Sequence, residues 1–342
     1  MKTVTVHDAK DLRIETHPAP EPGPGEVLIR MQSGGICGSD LHYYNHGGFG
    51  TVRLREPMIL GHEVAGTVAS LGPGVEGLTQ GQLVAVSPSR PCGACTYCQN
   101  GAQNHCMDMR FYGSAMPFPH IQGAFRELLV ADASQCVPAD GLTSSEAAMA
   151  EPLSVVLHAA RLAGDLMGKR VLVTGCGPIG LLAVLVARQA GAIDIVATDI
   201  TPFTLAKAQN IGADTVVNMA EDPDGLQAFT TDKGYFDVHF ECSGVAVALT
   251  AAVPAMRPGG TIIQLGLGGD MTLPVQTMTA KELIIKGSFR FHHEFPLAVK
   301  MMQTRRLDVS PLVTHVAPME NASEAFDLAS DRNRSIKVHL SF

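Results

Sequence analysis

Four cysteines stand close enough in the chain to share one ion. Cys92, Cys95, Cys98 and Cys106 give the spacing C-x2-C-x2-C-x7-C in a loop opened by Pro91 and carrying Gly93 and Gly101. Two-residue gaps let successive thiolates converge, and four thiolates complete a closed tetrahedral zinc site of the structural kind. The competing readings of such a run are a pair of disulfides or an iron–sulfur cluster. The loop has little apolar sequence of its own, so the metal is expected to supply much of its folding energy.

A second pattern suits phosphate. Gly175-Cys-Gly-Pro-Ile-Gly180 matches G-x-G-x-x-G, follows the strand-like run Val171-Leu-Val-Thr and opens an apolar helix. Gly175, Gly177 and Gly180 allow a tight turn and close backbone approach to a pyrophosphate, which the helix N-terminus at Pro178 and Ile179 then holds. Asp199 ends the next strand nineteen residues beyond Gly180, where a carboxylate can accept hydrogen bonds from ribose hydroxyls. It would repel a 2′-phosphate, and Ile200 rather than Arg follows it, so NAD is expected over NADP. A glycine turn without a ligand is the bland alternative.

Three further segments carry metal-ligand and acid–base residue types: Gly35-Ile-Cys-Gly-Ser-Asp-Leu-His42, Gly61-His-Glu-Val-Ala-Gly66 and Ala150-Glu-Pro-Leu-Ser154. None decides anything alone. An isolated buried Cys is usually a small core residue, and Glu-Pro can simply start a helix.

These groups need a scaffold, and the bulk sequence describes one. At 342 residues the chain is long for one core, and 46% apolar with 17% charged residues is the balance of a folded α/β protein. A net charge of −8 without any basic run argues against nucleic acid or an anionic membrane as partner. There is no continuous apolar N-terminal stretch and no run long enough to span a bilayer, so a cytoplasmic location is expected, where thiols stay reduced.

The first 150 residues hold short alternating runs such as Glu26–Met31 and Val64–Val68 between turns at Pro22–Gly25 and Gly72–Gly74, which predicts an irregular, mostly β domain. From about Ser154 strands and helices alternate: Arg170–Thr174, Ile179–Ala190, Ile193–Ala197, Thr201–Ile211, Phe236–Phe240 and Gly260–Gln264. That texture predicts a doubly wound parallel sheet. The alternation weakens after Lys281. The expected division is therefore a catalytic domain from 1–152 and 281–342, with a nucleotide domain of 153–280 inserted in it.

In this order, the three segments, the cysteine loop and the glycine loop resemble the zinc-containing medium-chain dehydrogenases over essentially the whole chain. The resemblance implies a GroES-like catalytic domain beside a Rossmann domain, two zinc ions per chain and NAD, with NADP as a second possibility. It implies that Cys37 and His62 bind the catalytic zinc. Where alcohol dehydrogenases of the family supply another Cys, this sequence has Glu151, the pattern of the polyol branch, so that Glu63 or Glu151 ligates zinc directly or through its water. The resemblance also gives Ser39 and His42 a proton relay by way of the cofactor ribose, and Asp40 the orienting of His62. An open zinc site of this kind brings a bound hydroxyl down toward a pKa of about 7, and an imidazole near 6.5 can take up the released proton.

Longer stretches, Gly34–Tyr44, Asp108–Ser114, Ala150–Ser154 and Gly287–Phe291, are most similar to the L-idonate 5-dehydrogenases, with sorbitol and xylitol dehydrogenases further away. The resemblance implies a sugar acid or polyol substrate, hydride transfer to NAD, and a homo-oligomer, a tetramer before a dimer. Substrate contacts are expected from Tyr43, Arg110, Phe111 and Arg290, with Arg110 as the guanidinium for a carboxylate. The rival from another class is a non-catalytic dinucleotide-binding module, against which Cys37, His62 and Glu151 all argue.

Overall fold

The computed structural model describes all 342 residues. They form two compact units, one made of Met1–Ser154, Phe291–Asp331 and Lys337–Phe342, the other of Val155–Arg290 and Arg332–Ile336. No helix is long and apolar enough to cross a membrane.

The first unit is built on a seven-stranded sheet whose centre is Glu26–Gly35. That strand alternates buried Val27, Ile29 and Met31 with more exposed neighbours, as a period of two requires of a half-buried strand. It pairs antiparallel with Glu63–Leu71 on one side and with Lys337–Ser341 and Leu128–Asp132 along the other. The inner faces close a core around Phe125, Phe326, Tyr43 and Met58. Two short ribbons lie outside the main sheet, one of them Ser89–Arg90 paired with Arg110–Phe111.

The second unit is a six-stranded parallel sheet in the order Thr215–Asn218, Asp194–Asp199, Arg170–Thr174, Phe236–Glu241, Met256–Gln264, Ile284–Gly287. Renumbered within the unit this is 3-2-1-4-5-6, the doubly wound nucleotide-binding order. Its inner strands are apolar on both faces, with Val171, Leu172, Val173, Ile195, Val196 and Ala197 all fully buried, because helices cover both sides.

The expected return to the first domain at 281 falls too early. The sixth strand, Ile284–Gly287, still pairs in the parallel sheet, and the compact units divide after Arg290. The strand is four residues long and exposed throughout, so neither length nor a buried face marks it in the sequence.

Candidate active site and metal centres

The register of the central sheet assembles the first centre. Gly35 pairs with Glu63 across one ladder and with His339 across the other. A side chain at Gly35 would overlap Glu63 Oε2, so glycine leaves the space that the Glu63 carboxylate fills. Two residues on, Cys37 caps the helix Gly38–His46, and His62 stands immediately before the strand Glu63–Leu71. Donor atoms of Cys37, His62 and Glu63 consequently lie within 4.8 Å of one another.

Acidic groups crowd this cluster. Burial, with the Glu63 carboxylate next, pushes the Cys37 thiol up to about 12. Burial also raises the Glu151 carboxyl to about 8, opposed by His62 and reinforced by Glu63 and Cys37. His62 Nδ1 is buried without a hydrogen-bond partner. Two acids, Cys37 and Glu63, and an unsatisfied imidazole converging in a desolvated spot are a donor set for a divalent cation, and soft thiolate with imidazole and carboxylate suits zinc.

One cation is already present. Lys337, 2% exposed, places Nζ 2.8 and 2.7 Å from the two Glu63 oxygens and 3.2 Å from the Ile36 carbonyl. All three ammonium donors are thereby used. Burial alone would lower its pKa, but Glu63 and Cys37 outweigh that and hold it raised. The sequence reading missed Lys337. Alternating with Ile336, Val338 and Leu340, Lys337 and His339 read as the ordinary polar face of a strand, so nothing in the sequence signals that Lys337 is buried.

The remaining expected residues divide. Glu151 is buried in the first turn of the helix Ala150–Ala163 and feels the cluster, yet it is outside the mutually close set. Asp40, expected to orient His62, stands 3.7 Å from its Nδ1, too far for a hydrogen bond. Its carboxylate instead accepts the Cys37 N–H at 3.0 Å and the Gly61 N–H at 3.2 Å, bracing the backbone of both ligand segments. Ser39 and His42 are one turn apart on the helix Gly38–His46, half-buried and exposed respectively. Partial burial, and then His46, hold His42 below its ordinary pKa.

Phe111 is buried with its ring 5.6 Å from that of His62. Arg110 is exposed and lines a different cavity, because successive strand residues point to opposite faces. Arg110 therefore faces away from the metal cluster, and any carboxylate it holds lies in that other cavity. Tyr43 is buried in the core, and its hydroxyl accepts the Ala115 N–H at 3.0 Å. Arg290 closes the second unit at positive φ, its guanidinium 4.9 Å from the Phe289 ring centre, and is not in the unit that holds the cluster.

The cysteine loop forms a second centre. Cys92, Cys95, Cys98 and Cys106 present sulfurs within 4.8 Å of one another, and all eight cysteines of the chain are free thiols. Backbone N–H groups of Met107 and Cys98 pull Cys95 down to about 6, whereas burial and its sulfur neighbours push Cys98 up to about 12. Such splitting among crowded thiols is what a bound dication removes, and this centre also fits zinc.

In the second unit Gly177 caps the helix Pro178–Gln189, with Pro178 at its first position. A side chain at Gly180 would overlap the Gly175 carbonyl oxygen, which explains the last glycine of the pattern. Asp199 Oδ2 accepts the Cys176 N–H at 2.6 Å, while Oδ1 accepts Ile200 and Thr201 at 2.7 and 3.0 Å, so the acid also fastens the loop. A buried network that the sequence reading did not find backs the loop. His239 Nε2 is 2.8 Å from Thr174 Oγ1, and fully buried Glu241 accepts the Ser243 and Gly244 N–H groups at 2.9 and 3.1 Å.

Comparison with known proteins decides the family. Residues 23–141 match the alcohol dehydrogenase GroES-like domain and 178–304 the zinc-binding dehydrogenase domain. The chain is 42% identical over 318 residues to L-idonate 5-dehydrogenase (NAD(P)(+)) of Escherichia coli, covering 92% of each. It belongs to the zinc-binding medium-chain dehydrogenases, in their polyol branch. It is an oxidoreductase acting on CH–OH groups, with zinc and NAD(P) as its cofactors. Sorbitol dehydrogenase of Gallus gallus is 40% identical over 342 residues, 98% of this chain and 95% of its own. The crystal structure of the E. coli L-idonate enzyme superposes with a TM-score of 0.95 at 40% identity, covering 100% of this chain and 98% of that one. A zinc-binding dehydrogenase of Sinorhizobium meliloti solved with NADP gives 0.90 at 27% identity, covering 100% and 99%.

Proposed function

We propose that this enzyme interconverts L-idonate and 5-keto-D-gluconate with NAD. The observation that carries the reading is the 42% identity to an L-idonate 5-dehydrogenase along 92% of both chains. Oxidation removes a hydride and a proton from one secondary alcohol and leaves a ketone. When bound, zinc polarises the substrate hydroxyl as a Lewis acid and NAD takes the hydride.

The chain's own residues bind, orient and move the proton. Cys37, His62 and Glu63 hold the metal, and Glu151 faces it as the acid for water or a substrate hydroxyl. Phe111 closes one wall beside His62 and keeps water out. Ser39 would accept the hydroxyl proton while giving up its own, which would pass by way of the cofactor ribose to His42, one turn along and exposed, for release to solvent. Gly175, Gly177, Pro178, Ile179 and Gly180 cradle the dinucleotide, and the Asp199 carboxylate disfavours a 2′-phosphate. Arg290 supplies donors to substrate hydroxyls.

A neutral-polyol reaction is the second reading, favoured by the 40% identity to sorbitol dehydrogenase. A panel of L-idonate, 5-keto-D-gluconate, sorbitol, xylitol, threonine and simple alcohols, each with NAD and NADP, separates them. The highest kcat/KM is expected for L-idonate with NAD; a higher value for sorbitol overturns the idonate assignment. A cytoplasmic location fits the free thiols. The edge strand Ile284–Gly287, with Ile284 and Ile285 48% and 42% exposed, supplies an unpaired apolar edge for a second copy. A homo-oligomer is proposed on that basis, a tetramer before a dimer, and light scattering reads it.

A further inference from the structure

Apart from the metal centres, the first unit holds a cavity of about 260 Å³ on which three arginines converge, Arg90, Arg110 and Arg126. Arg90 and Arg110 are direct partners in the ribbon Ser89–Arg90 with Arg110–Phe111. Directly opposed like charges destabilise a ribbon, and each needs its own counter-charge.

The acids in the cavity do not settle the account. Asp132 Oδ2 engages Arg90 Nε at 2.6 Å, and Glu26 Oε2 accepts the Gly23 N–H at 2.9 Å. Neither is bonded to Arg110 or Arg126. Arg126 donates from its guanidinium to the Gly123 carbonyl, with Nε at 2.9 Å, and no carboxylate contacts it. Desolvation lowers its pKa to about 10, so at neutral pH it stays a cation largely withdrawn from water. Such a group is costly without a counter-charge.

The neutral wall is fixed. His120 bonds the Pro117 carbonyl through Nδ1 and accepts the Arg55 N–H at Nε2, 2.9 Å each. Gln122 spends its carbonyl on the Ile59 N–H at 2.8 Å, which leaves its NH2 as a donor. Two cations lacking carboxylate partners and a spare amide donor, facing one cavity, make a receptor for an oxyanion.

We propose that this cavity binds a small oxyanion, phosphate or carboxylate, between Arg110 and Arg126 and independently of the metal and nucleotide sites. Its volume exceeds a bare ion and approaches the lower end of small-ligand pockets, about 300 Å³. Inorganic phosphate, a sugar phosphate and a sugar acid share the recognised group.

The test titrates sodium phosphate into the zinc-loaded, NAD-saturated protein by calorimetry and thermal shift, against sodium chloride of equal ionic strength. Saturating NAD keeps phosphate out of the glycine loop. Expected is saturable binding of one phosphate per chain, a Tm that climbs with phosphate, and affinity at least tenfold weaker in both R110Q and R126Q. Arg110 is exposed, so R110Q folds even where R126Q does not. Glucose 6-phosphate and gluconate then identify the source by which of them is most weakened by R110Q. No phosphate effect beyond chloride, or one that R110Q leaves intact, overturns the proposal.

Discussion

Lys337 and Glu63 predict an asymmetry that depends on metal. Lys337→Met keeps the length of the side chain but removes the charge, leaving a carboxylate 1% exposed beside Cys37 and Glu151. Breaking a buried ion pair by deleting one partner costs about 3–5 kcal/mol because the other charge is stranded. In zinc-free protein the full cost is expected. With zinc bound, Glu63 has a second cation, so the cost should fall well below that range. Glu63→Gln strands the ammonium instead, with only the Ile36 carbonyl and an amide oxygen as acceptors. Zinc repels that cation and loses a ligand, so zinc affinity should drop about 10–100-fold and Glu63→Gln should cost more with metal than without, by the matching ~1.4–2.8 kcal/mol. Urea unfolding of the apo and zinc-loaded forms, and chelator competition for zinc, measure both. The reasoning is refuted if Lys337→Met destabilises the two forms equally or weakens zinc binding, since Glu63 would then not be shared between lysine and metal.

Other consequences are read separately. Cys98→Ser should leave one zinc per chain by elemental analysis and make the 92–106 loop protease-sensitive while Cys37 and His62 keep their metal. Ser39→Ala should lower kcat by about 10²–10⁴-fold with zinc content unchanged; intact turnover would remove the relay. His46→Gln takes away a neighbour that depresses His42, so the acid limb of the pH–rate profile should move up toward 6.5, by less than burial holds it down. His239 is fully buried with its pKa lowered to about 3, against about 6.5 in the unfolded chain. The unfolded state binds the extra proton between those values, so stability present above pH 6.5 is lost as pH falls toward 3, by up to ~1.4 kcal/mol per pH unit. His239→Asn should flatten that slope in urea titrations between pH 7 and 5.

What the sequence revealed depended on how locally each site is made. The cysteine loop and the glycine loop are contiguous, so spacing alone placed their ligands and their turns. The strands Arg170–Thr174 and Asp194–Asp199 were legible because burial on both faces leaves consecutive apolar residues at their centres, Val171-Leu-Val and Ile195-Val-Ala. Lys337 was hidden for the opposite reason. Its partner lies 274 residues away, and only the pairing of Gly35 with Glu63 on one side and His339 on the other brings them together. The strand Ile284–Gly287 escaped notice because an exposed edge has no buried face to write into the sequence.

Arg110 and Phe111 show how little information can separate a wall of the active site from a different site. They are adjacent, and each fits a substrate role by residue type. The pleat of a two-residue strand assigns them: Phe111 turns toward His62, and Arg110 turns away to the cavity of Arg90 and Arg126. A one-residue slip in that ribbon would exchange the two, setting a guanidinium beside the metal ligands and a phenyl ring in the basic cavity. Charge argues against the exchange, since a guanidinium there would face zinc and the Lys337 ammonium already paired with Glu63. Packing argues the same way. Phe111 is 9% exposed where it stands, and exposing a phenyl would forfeit about 1.5–3 kcal/mol. Charge and the hydrophobic preference of one residue therefore fix the register, and the register in turn decides where the arginine's charge is available.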